Sequence, residues 1–400
     1  MHQMKMKSQL PALRAPTPAP EETAFCHYCR HAVTQVSQEV AVGLRRMQGK
    51  ENQEPATAAA AYHSPQSSEP QTSCSPTSVP TLLASSPAIS PSFELIDLVL
   101  MNHFTAVTSL NLFSGEHQNQ LWQRDVPSQA GSNAMLMHGI LAVAALDLSR
   151  SSSTPIEHQA RAFYHHGLGL QLFKPEIADI SPQNFDILFT FAILLVVWVY
   201  ASPAAGNGLL GLDDILDKLE MVRGCKKLFH MHGEAIRDKP IATFARSAFS
   251  KNVIGLSSPA NETFSYLRTL STETINLVAI DQLQRNLQKL VEAGVDTKTA
   301  AAWPAIISDE FWARLRAHES VPVLIFAHHA IVSGACADQW WWMAGWSERV
   351  LQATGNALTD TDKTFFDWEN LSTQIRSQAA AVSTDANSTS SGAANELSSR

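Results

Sequence analysis

The sequence predicts an all-α protein, and three observations carry that prediction. Apolar residues recur at spacings of three and four through most of residues 92–370, and no run alternates with the period of two that a strand needs. The most apolar run, Ile187 to Ala201, is apolar on nearly every side, as expected of the central helix of a large bundle. Charged residues make up 16% of the chain and apolar ones 45%, which fits one large buried core with polar extensions. No internal repeat is present.

In chain order, residues 1–50 read as an arm. Proline dominates its start, and Cys26-His27-Tyr28-Cys29 follows. A C-x2-C pair is half of a tetrahedral zinc site, because two thiolates so spaced grip one metal from a single turn. Val33, Val36, Val40, Leu44 and Met47 then step by threes and fours beside Arg45 and Arg46, the pattern of a short amphipathic helix or the start of a coiled coil. Residues 51–91 are mostly Ala, Ser, Pro, Thr and Gln, a composition that packs no core and reads as a linker.

Order is expected from Ser92, an N-cap for a helix with Phe93, Ile96, Leu100 and Phe104 on one face. A helix around Leu121 and Trp122 should stop before Pro127. The next, Asn133 to Leu148, carries Gly139, Ala142, Ala144 and Ala145, which let a neighbour approach closely. Helices over Ile156 to Phe173, Asn184 to Ala201 and Leu212 to Met231 follow, then one or two over Asn261 to Val295, a break at Ala302 to Ile307, and a short helix at Phe311 to Ala317. Val321 to Thr354 is the hub, read as core helices meeting at an aromatic block of Trp340, Trp341, Trp342 and Trp346. Phe365, Phe366 and Trp368 read as the last packed residues, and residues 371–400, rich in Ser, Ala, Thr and Asn, as a disordered tail.

Composition also narrows function. The formal charge of −8 argues against a nucleic-acid surface spread over the whole protein, and leaves room for a small basic module at one end. Five scattered cysteines do not make a secreted disulfide framework, so a reducing compartment is expected. The first residues lack the continuous apolar stretch of a signal peptide, and Ile187 to Ala201 is shorter than a membrane span, so no span is expected. Among fifteen histidines, His165-His166 and His328-His329 are neighbours that diverge by about 100° on a helix and do not chelate one ion. His138 and His328 read as satisfied polar groups at helix contacts. No H-E-x-x-H, G-x-S-x-G or phosphate-cradling loop is present, and no catalytic residue is assigned.

Several stretches resemble one family. Ala327, His328, Trp341, Trp342, Gly345 and Trp346 match an alanine-histidine, apolar run, tryptophan pair and glycine-tryptophan pattern. His103-Phe104, Trp122 and Met137-His138-Gly139-Ile140-Leu141-Ala142 match a second, and Arg223-Gly224 a third. These resemble the regulatory domain of fungal zinc-cluster transcription factors, above all sterol-uptake regulators and their relatives in biosynthetic gene clusters. The likeness covers about residues 92–370.

The resemblance implies a nuclear regulator, with a cytoplasmic pool also open, controlling a metabolic, biosynthetic or sterol-related gene set through a helical ligand- or partner-sensing domain. It implies homo- or heterodimers and an apolar metabolite or sterol as ligand. The pocket expected for that ligand lies among Leu194, Trp198, Trp341, Trp342 and Trp346. The family's six-cysteine cluster binds two zinc ions, and this chain offers only Cys26 and Cys29 in the right place, with Gln35 near where another cysteine would fall. No resident cofactor is therefore assigned. Zinc enters only if that pair belongs to a larger or intermolecular site, and the pair otherwise reads as two free thiols or a cluster remnant. The alternatives are a regulator-like protein that lacks DNA binding and acts by pairing with an intact relative, or is a truncated gene product, and, from another class, a helical enzyme.

Overall fold

The computed structural model describes residues 93–113, 116–202, 210–249, 261–293, 297–337 and 340–397. Every regular element among them is helical, as the periodicity predicts. The arm and linker expected over 1–50 and 51–91, with the C-x2-C pair, lie outside the described residues.

The first helix, α1 (Leu95–Ala106), differs from expectation. Leu100 and Phe104 are buried, but the third inward residue is Asp97, while Ile96 faces outward and the half-exposed Phe93 lays its ring 5.0 Å from that of His138. Glu94, not Ser92, holds the N-cap, and its N–H donates to the Asp97 carboxylate at 2.9 Å. Pro127 does not end the next segment either. The chain passes from α2 (Glu116–Gln120) through a π-helical turn at Leu121–Asp125 into α3 (Val126–Ala130). Proline fits the first turn of a helix because its missing N–H has no partner there anyway.

The centre is three helices: α4 (Ala134–Ser149), α5 (Pro155–Ala178) and α6 (Phe185–Ala201). Asn133 caps α4, its side chain accepting from the Leu136 N–H at 2.9 Å. The small residues of α4 act as the sequence predicts. A Cβ at Gly139 would fall 2.9 Å from the Phe191 ring, as would one at Gly169 of α5, so that ring lies directly over two bare backbones. From Phe185 to Tyr200 nearly all of α6 is buried, which makes it the axis of the bundle.

Around this centre lie α7 (Leu212–His232), α8 (Pro240–Phe249), α9 (Asn261–Thr269), α10 (Thr274–Ala293), α11 (Thr297–Ile306) and α12 (Asp309–Arg316). Residues 302–307 are no break: Pro304 sits near the end of α11, and Trp303 is fully buried. Arg223 of α7 is buried beneath this junction. Its guanidinium donates to the Pro304 carbonyl at 2.7 Å, pairs with Asp309 and lies 4.7 Å over the Trp312 ring. It thereby closes the carbonyl end of α11 and the start of α12 with one cation.

The hub divides into α13 (Ser320–Ala327) and α14 (His329–Ala337). At the joint, His328 Nδ1–H donates to the Leu324 carbonyl at 2.8 Å, competing with the backbone for that acceptor. By length and composition Ser320–Ala337 passes as a membrane span, but it is broken here and 78% buried, so it is core. A 3-10 turn at Trp341–Met343 leads to α15 (Trp346–Ala357) through Gly345 at φ +73°, a left-handed conformation open to glycine without a Cβ clash.

Next come α16 (Asp360–Phe365) and α17 (Trp368–Leu397). Phe366 is packed and Trp368 partly so, but Phe365 is 75% exposed. Packing continues beyond Trp368 instead, through Leu371, Ile375 and Ala379 of α17, which lies along α14. Those apolar residues stand four apart in a run otherwise small and polar, so composition alone hid the stripe.

Candidate functional site

Two seams meet at α6. The first is aromatic. Tyr200 stands with its ring centroid 4.7 Å from that of Trp346 and 5.7 Å from that of Trp342. Its hydroxyl donates to the Ala301 carbonyl at 3.2 Å, and burial pushes the phenol pKa well up, so it stays neutral. Trp342 Nε1–H donates to the Leu112 carbonyl at 2.9 Å, and its ring meets Phe113 edge-on. Phe113 in turn contacts Trp122 and Phe244.

Of the five residues expected to line one pocket, only Trp342 and Trp346 share these surroundings. Trp198, two residues before Tyr200, projects to another side of α6. There it stacks flat on His166 of α5 at 3.9 Å, with Phe163 edge-on. Leu194 faces α4, its Cδ1 3.1 Å from where a Cβ at Gly139 would sit. Trp341 lies at the rim, with the Arg150 guanidinium 5.5 Å from its ring. Tyr200, which joins the two tryptophans, was not singled out, because it is one aromatic among many in a continuous apolar run.

The second seam is polar and was not foreseen. Asp97 of α1, 3% exposed, accepts three guanidinium contacts from Arg161 of α5 at 2.7, 2.8 and 3.0 Å, and pairs with His165 Nε2 at 2.9 Å. His165 Nδ1 lies 2.9 Å from His138 Nδ1 of α4. Burial acts to raise the Asp97 pKa, but the Glu94 N–H, Arg161 and His165 together hold it below the usual carboxylate range. Burial lowers His165 despite Asp97, and takes His138 down to about 4.

The neutral pair therefore has one order of tautomers. His165 donates from Nε2 to the carboxylate, so its Nδ1 accepts from His138 Nδ1–H. His138 Nε2 is left as a buried acceptor without a hydrogen-bond partner among the described residues. His328 is likewise satisfied at one nitrogen only, and its burial lowers it to about 4. His138 and His328 were expected to be satisfied polar groups at helix contacts; each makes its hydrogen bond through one ring nitrogen. A second carboxylate, Asp147 of α4, accepts from Thr108 at 2.9 Å and pairs with His103 at 3.2 Å. No group of three metal-ligating side chains occurs among the described residues. Both carboxylates are spent on holding α1 and its following turn to the bundle.

Comparison with known proteins puts a class to this architecture. Residues 99–276 match the fungal specific transcription factor domain, a span that contains most of the polar seam and all of α6. The chain is 30% identical over 105 residues to sterol uptake control protein 2 of Candida albicans, covering 26% of this chain and 14% of that protein. It is 37% identical over 136 residues to a Zn(2)-C6 fungal-type transcription factor of Gibberella zeae, covering 31% and 27%. It is 29% identical over 147 residues to the Zn(2)-C6 fungal-type transcription factor afumD of Aspergillus fumigatus, covering 36% and 38%. The domain match and these relatives support a fungal zinc-cluster regulator family. The chain spans less than two-fifths of the length of each of these relatives.

Proposed function

We propose that this protein is a nuclear, non-catalytic regulator of transcription whose helical domain responds to an apolar small molecule. The observation that carries the regulatory part is the domain match over residues 99–276, on the helices that build the bundle's centre. Supporting it, the three relatives named above are transcription factors or a sterol uptake control protein. The gene set is metabolic, biosynthetic or sterol-related, and the working form is a homo- or heterodimer on DNA. The Zn(2)-C6 names of two relatives support zinc in the DNA-binding part of such proteins. In this chain, Cys26 and Cys29 are the thiolates that would join a zinc site.

The ligand part rests on chemistry. An apolar ligand needs a low-dielectric wall and a few fixed polar groups. On one side of α6, Trp342 and Trp346 supply the wall and the Tyr200 hydroxyl a polar group, while Leu194, Trp198 and Trp341 lie on other sides of this region. Entry of a ligand there requires the rings to part, so binding and packing compete for the same surfaces. Residues 1–50 as arm, 51–91 as linker and 92–370 as regulatory domain complete the organisation, with α17 adding its packed first turns.

The test of the regulatory part is DNA binding by the purified full chain, with zinc measured on the same sample. Binding that weakens steeply with salt, together with stoichiometric zinc, is the expected result. A folded chain with neither zinc nor DNA binding would contradict it.

A further inference from the structure

The outward side of α1 carries a run of exposed apolar residues. Leu95 is 84% exposed, Leu98 66% and Val99 52%, with Phe93 at 48% beside them. Asn102 and Ala106 continue the same line, so the exposed positions step by three and four along the whole helix. A solvent-facing helix usually carries charge on that side; this one presents leucine and valine. Its inward side is fixed by Leu100, Phe104 and the ion pair of Asp97 with Arg161, so α1 does not rotate to hide the stripe. Contiguous apolar surface of this kind marks a docking site.

Charge and chain connection point to one occupant. Carboxylates outnumber cations at the N-terminal end of α1: Arg161 is shared between the buried Asp97 and Glu94, whose side chain is 60% exposed, and the exposed Glu157 lies one turn before Arg161 on α5. The sequence holds one complementary segment upstream, residues 33–47, with Val33, Val36, Val40, Leu44 and Met47 at matching spacing and Arg45-Arg46 at its end. Laid antiparallel to α1 as a helix, it would span about 22 Å against about 18 Å for α1. Its arginines would then fall beside Glu94 and Glu157. Residues 48–92 connect the two, and a chain of that length has a reach of roughly 35 Å, ample to return to the start of α1. Tethering gives such a segment an effective concentration in the millimolar range, above that of any free partner in dilute solution.

We infer that the apolar face of α1 is the docking site for residues 33–47 of the same chain. Docking there brings Cys26 and Cys29, a few residues upstream, against the helical domain. The state of that domain is thus passed to the N-terminal end through α1, which Asp97, Arg161 and His165 hold to the bundle. The inference does not depend on DNA or zinc binding.

The test is the thiol-labelling rate at Leu98→Cys in the full chain, read by peptide mass spectrometry so that the natural cysteines are resolved. It is compared with the same chain carrying V40E and L44E, substitutions outside the described bundle. The expected result is labelling about tenfold slower in the chain with the native segment, and unchanged on dilution; a tenfold change corresponds to ~1.4 kcal/mol. Equal rates in the two chains would overturn the inference. So would a slow rate that rises on dilution, which would assign the face to a second copy. Hydrogen exchange at α6 in both chains verifies that the bundle is folded.

Discussion

The aromatic seam on one side of α6 and the polar seam beside α4 and α5 are held by opposite means. Around Tyr200, Trp342 and Trp346, stability comes from area, since large rings exclude water and contribute in proportion to the apolar surface removed. Each ring there tolerates small displacements, because a ring contact has a broad minimum. Around Asp97, Arg161, His165 and His138, stability comes from direction. Each bond fixes the proton of the next, and loss of one member strands the others. A seam of the first kind can open for an apolar guest and close again. A seam of the second kind clamps α1 in one place, which suits the helix that leads to the N-terminal segment.

The comparison breaks most visibly if the aromatic side is truncated. Trp346→Ala should cost about 3–5 kcal/mol, the usual penalty for emptying a tryptophan site in a core, measured by urea unfolding. Trp342→Phe should cost far less, about 1 kcal/mol, because most of the ring remains and only the bond to Leu112 is lost. Similar costs for the two would mean that the seam is directional after all.

On the polar side, Asp97→Asn should cost about 3 kcal/mol, since Arg161 loses the buried charge that compensates it and the bond from His165 weakens. The loss should appear first as faster hydrogen exchange in α1. An apolar replacement of the whole set should recover much of it, as unpaired groups and not lost area cause the damage.

Acid separates the seams further. His138 and His328 have folded pKa values near 4, and His166, stacked under Trp198, near 3. An unfolded histidine takes up its proton near 6.5. The unfolded state therefore binds more protons as pH falls through that range. The stability these residues confer is complete above about 6.5 and lost progressively down to about 4, or 3 for His166, by a few kcal/mol for each. Replacing His166 with Phe, which keeps the stack on Trp198, should flatten the pH dependence of the unfolding midpoint between 6.5 and 4. An unchanged slope would show that the buried ring is not the source.

A further core effect is steric. Gly139→Ala places a methyl 2.9 Å from the Phe191 ring, and should cost about 1–3 kcal/mol unless that ring turns aside. Crystallography of the variant would show whether Phe191 moves toward α5, where Gly169 leaves no slack.

The two seams were unequally legible in the sequence. Helices were readable because their apolar spacing is local, and the aromatic block because four tryptophans within seven positions announce a core. Asp97 was not readable as buried, since the partner that makes its burial tolerable, Arg161, lies far along the chain. Reading Pro127 as a helix stop and residues 302–307 as a break failed for a similar reason, because a proline near a helix end depends on which residue begins or ends the helix. The stripe Leu371, Ile375 and Ala379 was masked by its polar neighbours. Tyr200 was hidden in the opposite way, by the uniformity of α6.

The most direct test of the account is a titration of the full chain with a sterol, followed by tryptophan fluorescence. The account predicts saturable binding of one molecule per chain, weakened about tenfold by Trp342→Ala in a variant that remains cooperatively folded. It is contradicted if the folded wild-type chain shows no saturable change, or if Trp342→Ala binds as tightly as wild type.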